Sequence, residues 1–401
     1  MKILVVHNRY HLRGGEEGVY EAEVKMLRNN GHEVESFEAN SQTINSFIDK
    51  VIVGIDQIFS MRTYVRMRRK IMEFEPDIVH VHNFFPLISP SVFYACKRSG
   101  VPVIQTLHNF RAICPTGLLL LNGQIEEKSI SSGPFWAIKH AVYRKSRIGT
   151  ALLALSIFVH RRIGTWRTKV DKFIALTEFQ KEKYVSAGWP EEKFVIKPNF
   201  VDTPAAGFSG TEKNTGGYFI YVGRLSDEKG VRDLVEAWRD IKYPLKIVGD
   251  GPLSDLIRTE ENPFIEWLGP KSKEEVFQLL EGADLTIMTS RCYEGFPLVL
   301  LESFACSTPV LVPRLGGLPY IVAPGETGFL YEPRNIPDLR IKLNDAIRDR
   351  AALGRLGLNA RQRYLDSYTE QRNYQYLVAI YSQLLPEWDL ASSEEENYEH
   401  E

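Results

Sequence analysis

Along most of the chain, short β-rich runs alternate with longer segments in which apolar residues recur every three to four positions. KILVVH, HEVESFEA, DIVHVH, VPVIQTLH and KFIALT punctuate the first half, and YFIYVGRL, LKIVGD, FIEWLG, LTIMTS and TPVLVP the second. Between them lie amphipathic segments such as VYEAEVKMLRNNG and VRDLVEAWRDI, several closed by glycine. Largely apolar strands alternating with helices predict an α/β protein built on parallel, doubly wound sheets.

At 401 residues the chain is too long for one ordinary core and suits two domains. The stretch KPNFVDTPAAGFSGTEKNTGG, residues 197–217, is rich in Pro, Gly, Ser, Thr and Asn and marks the expected boundary. The expectation is two Rossmann-like domains facing across a cleft, residues 1–200 and 201–368, with ligands beyond the C-terminal ends of the strands. A helical segment from about Glu370 to Leu385 follows, and the acidic residues 391–401 are expected to be disordered.

Composition narrows the class. A hydrophobic fraction of 44% and a charged fraction of 25% suit a soluble globular protein. Four cysteines (Cys96, Cys114, Cys292 and Cys306) form no CxxC pair, which excludes a zinc ribbon and points to a reducing, cytoplasmic compartment. The opening MKILVVHNRY holds an apolar run too short for a signal peptide and is expected to be a first strand. No apolar stretch reaches the roughly 18 residues of a membrane-spanning helix. The net charge of −2 conceals an asymmetry, since residues 1–200 carry 28 Lys and Arg against 19 Asp and Glu, and the remainder 21 against 32.

Candidate chemistry sits at predicted strand ends. In RCYEGFPLVLLESFACSTPVLV, Glu294 falls in the loop before a helix that Pro297 opens, and Glu302 on its second turn. The free N–H groups near Phe296, Pro297, Leu298 and Val299 form a ready anion site, and carboxylates beside it can accept hydrogen bonds from sugar hydroxyls. A helix cap plus one ion-paired glutamate is the plainer alternative. YVGRLSDEKGVRDL places Arg224 and Lys229 before the next helix, two cations suited to a diphosphate or simply to a solvated loop. Gly14 and Gly15, in HNRYHLRGGEEG, permit close backbone approach to a ligand or a plain turn. The pair His-Asn recurs at His7, His82-Asn83 and His108-Asn109; with no carboxylate in these pairs, they suggest a polar sugar-binding face on the acceptor side rather than a metal site. No DxD triplet occurs.

Taken together and in order, the GG loop, VHVHN, TLHN, VIKPNFVD, YVGRLSDEKG, EGFPLVLLES and GETGFLY resemble the retaining GT-B glycosyltransferases of family four (glycosyl transferases group 1) over essentially the whole chain. The resemblance implies a hexosyltransferase with a nucleotide-sugar donor held mainly by the second domain and an acceptor held mainly by the first. It implies no cofactor and no metal, and a final crossover helix, about 369–390, packing back on the first domain. Residue by residue it gives Glu302 the ribose hydroxyls, and gives the diphosphate to Arg224, Lys229, the backbone near Leu298 and Val299, and Gly15. It places Glu294 and His108 on the transferred sugar as the catalytic pair, and the backbone at Leu268 and Gly269 on the base. A UDP-hexose donor and a glycan or lipid-linked acceptor in surface polysaccharide synthesis complete the expectation.

Two questions stay open at this stage. Residues 136–172 hold nine Lys and Arg and one acid, Asp171, around the run IGTALLALSIFVH. That segment suits either an anionic membrane surface, on the inner face of the plasma membrane, or a core helix with solvated flanks. Nucleic acid finds no matching motif. A GT-B epimerase or phosphorylase, or an inactive sugar-nucleotide-binding scaffold, remains the alternative function.

Overall fold

The computed structural model describes residues 1–9, 14–40, 54, 56–203 and 216–385. The acidic residues 391–401, residues 10–13 and most of the expected boundary stretch lie outside them. Contacts divide the chain into two units, one of Met1–Gly117, Glu127–Pro198 and the segment from Glu370 onward, the other of Leu118–Glu126 and Asn199–Thr369.

The first unit holds a six-stranded sheet of β1 (Lys2–Arg9), β2 (Glu33–Asn40), β3 (Ile78–Val81), β4 (Val103–Thr106), β7 (Lys172–Ala175) and β8 (Phe194–Ile196), in the order β2-β1-β3-β4-β7-β8. Every neighbouring pair is parallel. Ile3 to Val6 and Ile78 to Val81 are buried throughout, as expected of strands covered on both faces. A short hairpin, β5 (Leu120–Leu121) and β6 (Gln124–Ile125), belongs to the second unit, where the Arg334 guanidinium donates to the Gly123 carbonyl.

The second unit repeats the plan with β9 (Phe219–Val222), β10 (Leu245–Val248), β11 (Ile265–Gly269), β12 (Leu285–Ile287), β13 (Val310–Pro313) and β14 (Gly328–Tyr331), again all parallel. Their order, β11-β10-β9-β12-β13-β14, reverses direction between β9 and β12. Such a switch point opens a crevice outside the carboxyl ends of the strands, because the loops on its two sides leave in opposite directions. In the first sheet the reversal lies between β1 and β3.

The ten strands expected from the pattern are all present. β8 and β14 were not expected, being flanked by charged or turn residues. The helix Glu370–Ser382 belongs to the first unit, where Asn373, Leu377 and Tyr381 are buried. Pro297 occupies the position just before the helix Leu298–Ala305 rather than its first residue, with an extended ψ of 117°.

Candidate active site

In the second unit, two loops meet at the switch point. One leaves β9 and carries Arg224 and Lys229 to the helix Val231–Trp238; the other leaves β12 and carries Glu294 to the helix Leu298–Ala305. The Lys229 ammonium donates to both oxygens of Glu294, at 2.7 and 2.8 Å. Burial works against the charge on Lys229, but the adjoining Glu294 carboxylate outweighs it and holds the ammonium pKa above its ordinary value. Ser290 Oγ also donates to Glu294 Oε1. Spacing alone did not show that Lys229 and Glu294 would form one unit.

The loops are stitched together by their backbones. Thr289 Oγ1 donates to the Lys229 carbonyl at 2.9 Å, and the Arg291 amide donates to the Glu228 carbonyl at 2.8 Å. The Arg291 guanidinium forks onto both oxygens of Asp233, a clamp that the sequence reading missed because each residue alone reads as a solvated charge. Gly230 turns the chain at φ 68°, and a Cβ there would lie 1.8 Å from the Thr289 carbonyl oxygen. Only glycine permits that approach.

Arg224 is exposed, and its guanidinium has no carboxylate partner among the described residues. Glu302 lies on the second turn of its helix, and burial pushes its carboxyl up to about 7 against a smaller opposing pull from Lys273. The end of β11 brings Leu268 and Gly269 to the same carboxyl edge, where the Gly249 amide donates to the Gly269 carbonyl at 2.9 Å. The amide ends of an eight-residue helix, an unpaired guanidinium, a lysine and two carboxylates thus border one crevice of the second unit. Such a crevice can take an anion together with hydroxyl groups.

In the first unit, Gly14 and Gly15 begin the helix Gly15–Asn29, and a Cβ on Gly14 would meet nothing within 4 Å. Packing therefore does not demand glycine there. Beside them, burial raises the Glu16 carboxyl to about 8 although Asn109 Nδ2 donates to it at 3.3 Å. A carboxyl that keeps its proton at neutral pH adds no negative charge to this helix N-terminus.

The histidines are brought together in part. His82 Nδ1 lies 3.1 Å from His108 Nε2 with the rings stacked at 5.3 Å, whereas His7 stacks on Tyr20 with both nitrogens buried and unpartnered. Burial lowers His7 to about 3. Asn83 is buried and donates to the Asn8 carbonyl at 3.1 Å, while its Oδ1 accepts from the Phe85 amide at 2.9 Å.

A carboxylate does accompany these histidines, contrary to the sequence expectation. Glu23, fully buried, accepts from His82 Nε2 at 3.0 Å, lies 3.1 Å from His80 Nδ1, and receives the buried Lys197 ammonium at 2.9 Å. Its signal in the sequence was a glutamate on the apolar stripe of Val19, Tyr20, Val24 and Leu27. Burial opposes its ionisation, but Lys197, His82 and His80 outweigh that and hold the carboxyl well below the usual range. The donor atoms of Glu23, His80 and His82 lie within 4.8 Å of one another, a spacing that a cation could use. Lys197, held also by Asn373 Oδ1 at 2.8 Å, already places a positive charge on that carboxylate.

Comparison with known proteins gives the family. A model of Glycosyltransferase Family 4 matches residues 13–204, and one of Glycosyl transferases group 1 matches residues 203–363. The chain belongs to the GT-B glycosyltransferases of family four. It is 26% identical over 379 residues to an uncharacterized glycosyltransferase of Methanocaldococcus jannaschii, covering 90% of this chain and 93% of that one. It is 24% identical over 412 residues to the N-acetyl-alpha-D-glucosaminyl L-malate synthase of Bacillus anthracis, covering 96% and 98%. Among solved structures, HepE of Anabaena in complex with UDP aligns at a TM-score of 0.66 and 17% identity, covering 96% of this chain and all of that one. A glycosyltransferase from Rickettsia africae aligns at 0.68 and 19%, covering 96% and 98%. These structural likenesses concern the fold.

Proposed function

We propose that this glycosyltransferase moves a hexosyl group, with retention, from a UDP-hexose to a glycan or lipid-linked acceptor of surface polysaccharide synthesis, without metal or cofactor. The Lys229–Glu294 pair at the switch point carries the proposal, because it sets a cation for a diphosphate against a carboxylate for sugar hydroxyls. In the second unit Arg224, Lys229 and the amides following Phe296 and Pro297, at Leu298 and Val299, take the diphosphate, while Gly14 and Gly15 of the first unit permit close approach of a ligand. Glu302 takes the ribose hydroxyls, and the backbone at Leu268 and Gly269 the base. In the second unit Glu294 takes hydroxyls of the transferred sugar; in the first, His108 serves the reaction and His82, Asn83 and Asn109 the acceptor side. HepE has been solved with UDP-glucose, which favours uridine in the donor.

The chemistry is electrostatic. Cleavage of the sugar–phosphate bond leaves charge on the departing diphosphate, and fixed cations and N–H groups stabilise that charge without reorganising. The acceptor hydroxyl attacks from the same face.

The acceptor reading extends to an anionic lipid surface. Ile148, Leu155 and Phe158 are exposed on the helix Arg147–Arg162 while Leu153, Ala154 and Ile157 face the core, and Arg161 and Arg162 flank the apolar side. No described helix is long and apolar enough to cross a membrane.

The test is a panel of nucleotide sugars read by thermal shift, slow donor hydrolysis and the anomeric configuration of the product. A UDP-hexose that stabilises the protein and is cleaved with retention, with cleavage lost in Glu294→Ala, supports the reading. A shift without cleavage by any donor would favour the sugar-nucleotide-binding scaffold, and no shift with any donor would sink the donor reading.

A further inference from the structure

His108 does not stand alone in the first unit. Its Nε2 meets His82 Nδ1 at 3.1 Å, and His82 Nε2 meets Glu23 Oε1 at 3.0 Å. Glu23 begins this chain on the helix Gly15–Asn29, and the two histidines follow the ends of β3 and β4.

The order of donors along the chain is fixed from the carboxylate end. Glu23 is ionised and can only accept, so His82 Nε2 carries a proton. Lys197 already balances the Glu23 charge at 2.9 Å, so a neutral His82 leaves the network uncharged. Neutral His82 then has a bare Nδ1, which accepts from His108 Nε2–H. Burial keeps His108 well below its ordinary pKa and therefore neutral. Its remaining nitrogen, Nδ1, is left as a lone-pair acceptor, the only His108 side-chain hydrogen-bond contact among the described residues being through Nε2.

The other groups around His82 reinforce this order. His80, lowered to about 4 chiefly by burial, shares Glu23 Oε1 through Nδ1 and contacts Thr106 Oγ1 through Nε2 at 2.8 Å. The Tyr381 hydroxyl lies 2.9 Å from His80 Nδ1, and the Tyr20 ring meets His82 edge-on at 5.6 Å. His7, stacked on Tyr20, is neutral.

We propose that Glu23 is a positioning residue: through His82 it fixes His108 as the Nε2–H tautomer and makes His108 Nδ1 a hydrogen-bond acceptor for a hydroxyl of the transferred sugar. The tautomer claim stands on the first unit alone; its use in transfer rests on the role of His108 in the function proposed above. A ring free to exchange tautomers would offer that hydroxyl a donor part of the time, and a second-layer carboxylate removes the ambiguity.

The experiment is ring-nitrogen NMR on the full chain labelled with ¹⁵N-histidine, with His108 assigned through His108→Asn. The wild type should show His108 as a single Nε2–H tautomer, and His82→Leu should show a mixture at unchanged secondary structure. Because Glu23→Gln strands the Lys197 ammonium, the charge-balanced pair Glu23→Gln with Lys197→Met is measured beside it. An Nδ1–H or mixed wild-type ring, or one unaltered by His82→Leu, overturns the proposal. In donor hydrolysis, His82→Leu and the balanced pair should lower kcat at least about tenfold with little change in KM. Altered tautomers with unchanged kcat would leave the relay standing and overturn the placing of His108 at the sugar.

Discussion

Lys229 and Glu294, 65 positions apart, form a two-pronged ion pair across the point where the second sheet reverses its strand order. Each partner sits on one loop, so the pair ties the loop that follows β9 to the loop that follows β12. Glu294 thereby fixes the direction in which the Lys229 ammonium points.

Lys229→Ala is therefore expected to remove transition-state stabilisation of about 3 kcal/mol, roughly a hundredfold in kcat. Thermal stability should change little, because the Lys229 side chain keeps 30% of its surface exposed. Donor hydrolysis beside a melting curve separates the two, and full activity in the variant would remove Lys229 from the diphosphate site.

Glu302 predicts a pH dependence of both stability and affinity. Its folded-state pKa of about 7 lies above the unfolded value of about 4.3. Its stabilising contribution is complete below that unfolded value and is lost as pH rises through about 7. Nucleotide affinity should run the other way, since the ionised carboxylate is the better acceptor for ribose hydroxyls. Glu302→Gln should flatten both curves between pH 5 and 8, measured by thermal unfolding and by calorimetric titration with UDP; an unflattened affinity curve removes Glu302 from the ribose.

Lys197→Met alone should destabilise the protein by about 3–5 kcal/mol, because it leaves Glu23 buried and uncompensated. Adding Glu23→Gln should recover most of that loss. Denaturant unfolding of the two singles and the double gives the coupling, and additive losses would mean that the buried pair does not act as one.

Gly230→Ala should cost at least about 2 kcal/mol, from the left-handed backbone and the collision with the Thr289 carbonyl. The displaced loop carries Lys229, so donor hydrolysis should fall with the melting temperature. Unchanged values of both would mean that the turn relaxes without disturbing the site.

For the basic helix, Arg161→Ser with Arg162→Ser should reduce sedimentation with anionic liposomes at low salt, each charge being worth about 1 kcal/mol near such a surface. Wild-type protein that stays in the supernatant would reject the lipid reading.

Alternating strand and helix patterns made both sheets legible in the sequence, and the turn residues between them located Arg224, Lys229 and Glu294 at strand ends. What the pattern did not carry was pairing at long range. Glu23 and Lys197 come together across 174 positions, and Asp233 and Arg291 across 58. In each case a charge within or beside an apolar element looked solvated until the fold supplied its partner. Strands β8 and β14 were missed because their few apolar residues stand among charged or turn residues, in FVIKPN and GETGFLYEP, without the longer apolar run that marked the others.

The helix Glu370–Ser382 gives the first unit a timing. Asn373 holds Lys197 and Tyr381 faces His80, so both buried clusters of the first unit wait for residues translated after the whole second unit. A ribosome that has released the first sheet still has about 180 residues to make before that sheet can close its polar interior. Until then the second unit can fold to completion while the first remains unfinished.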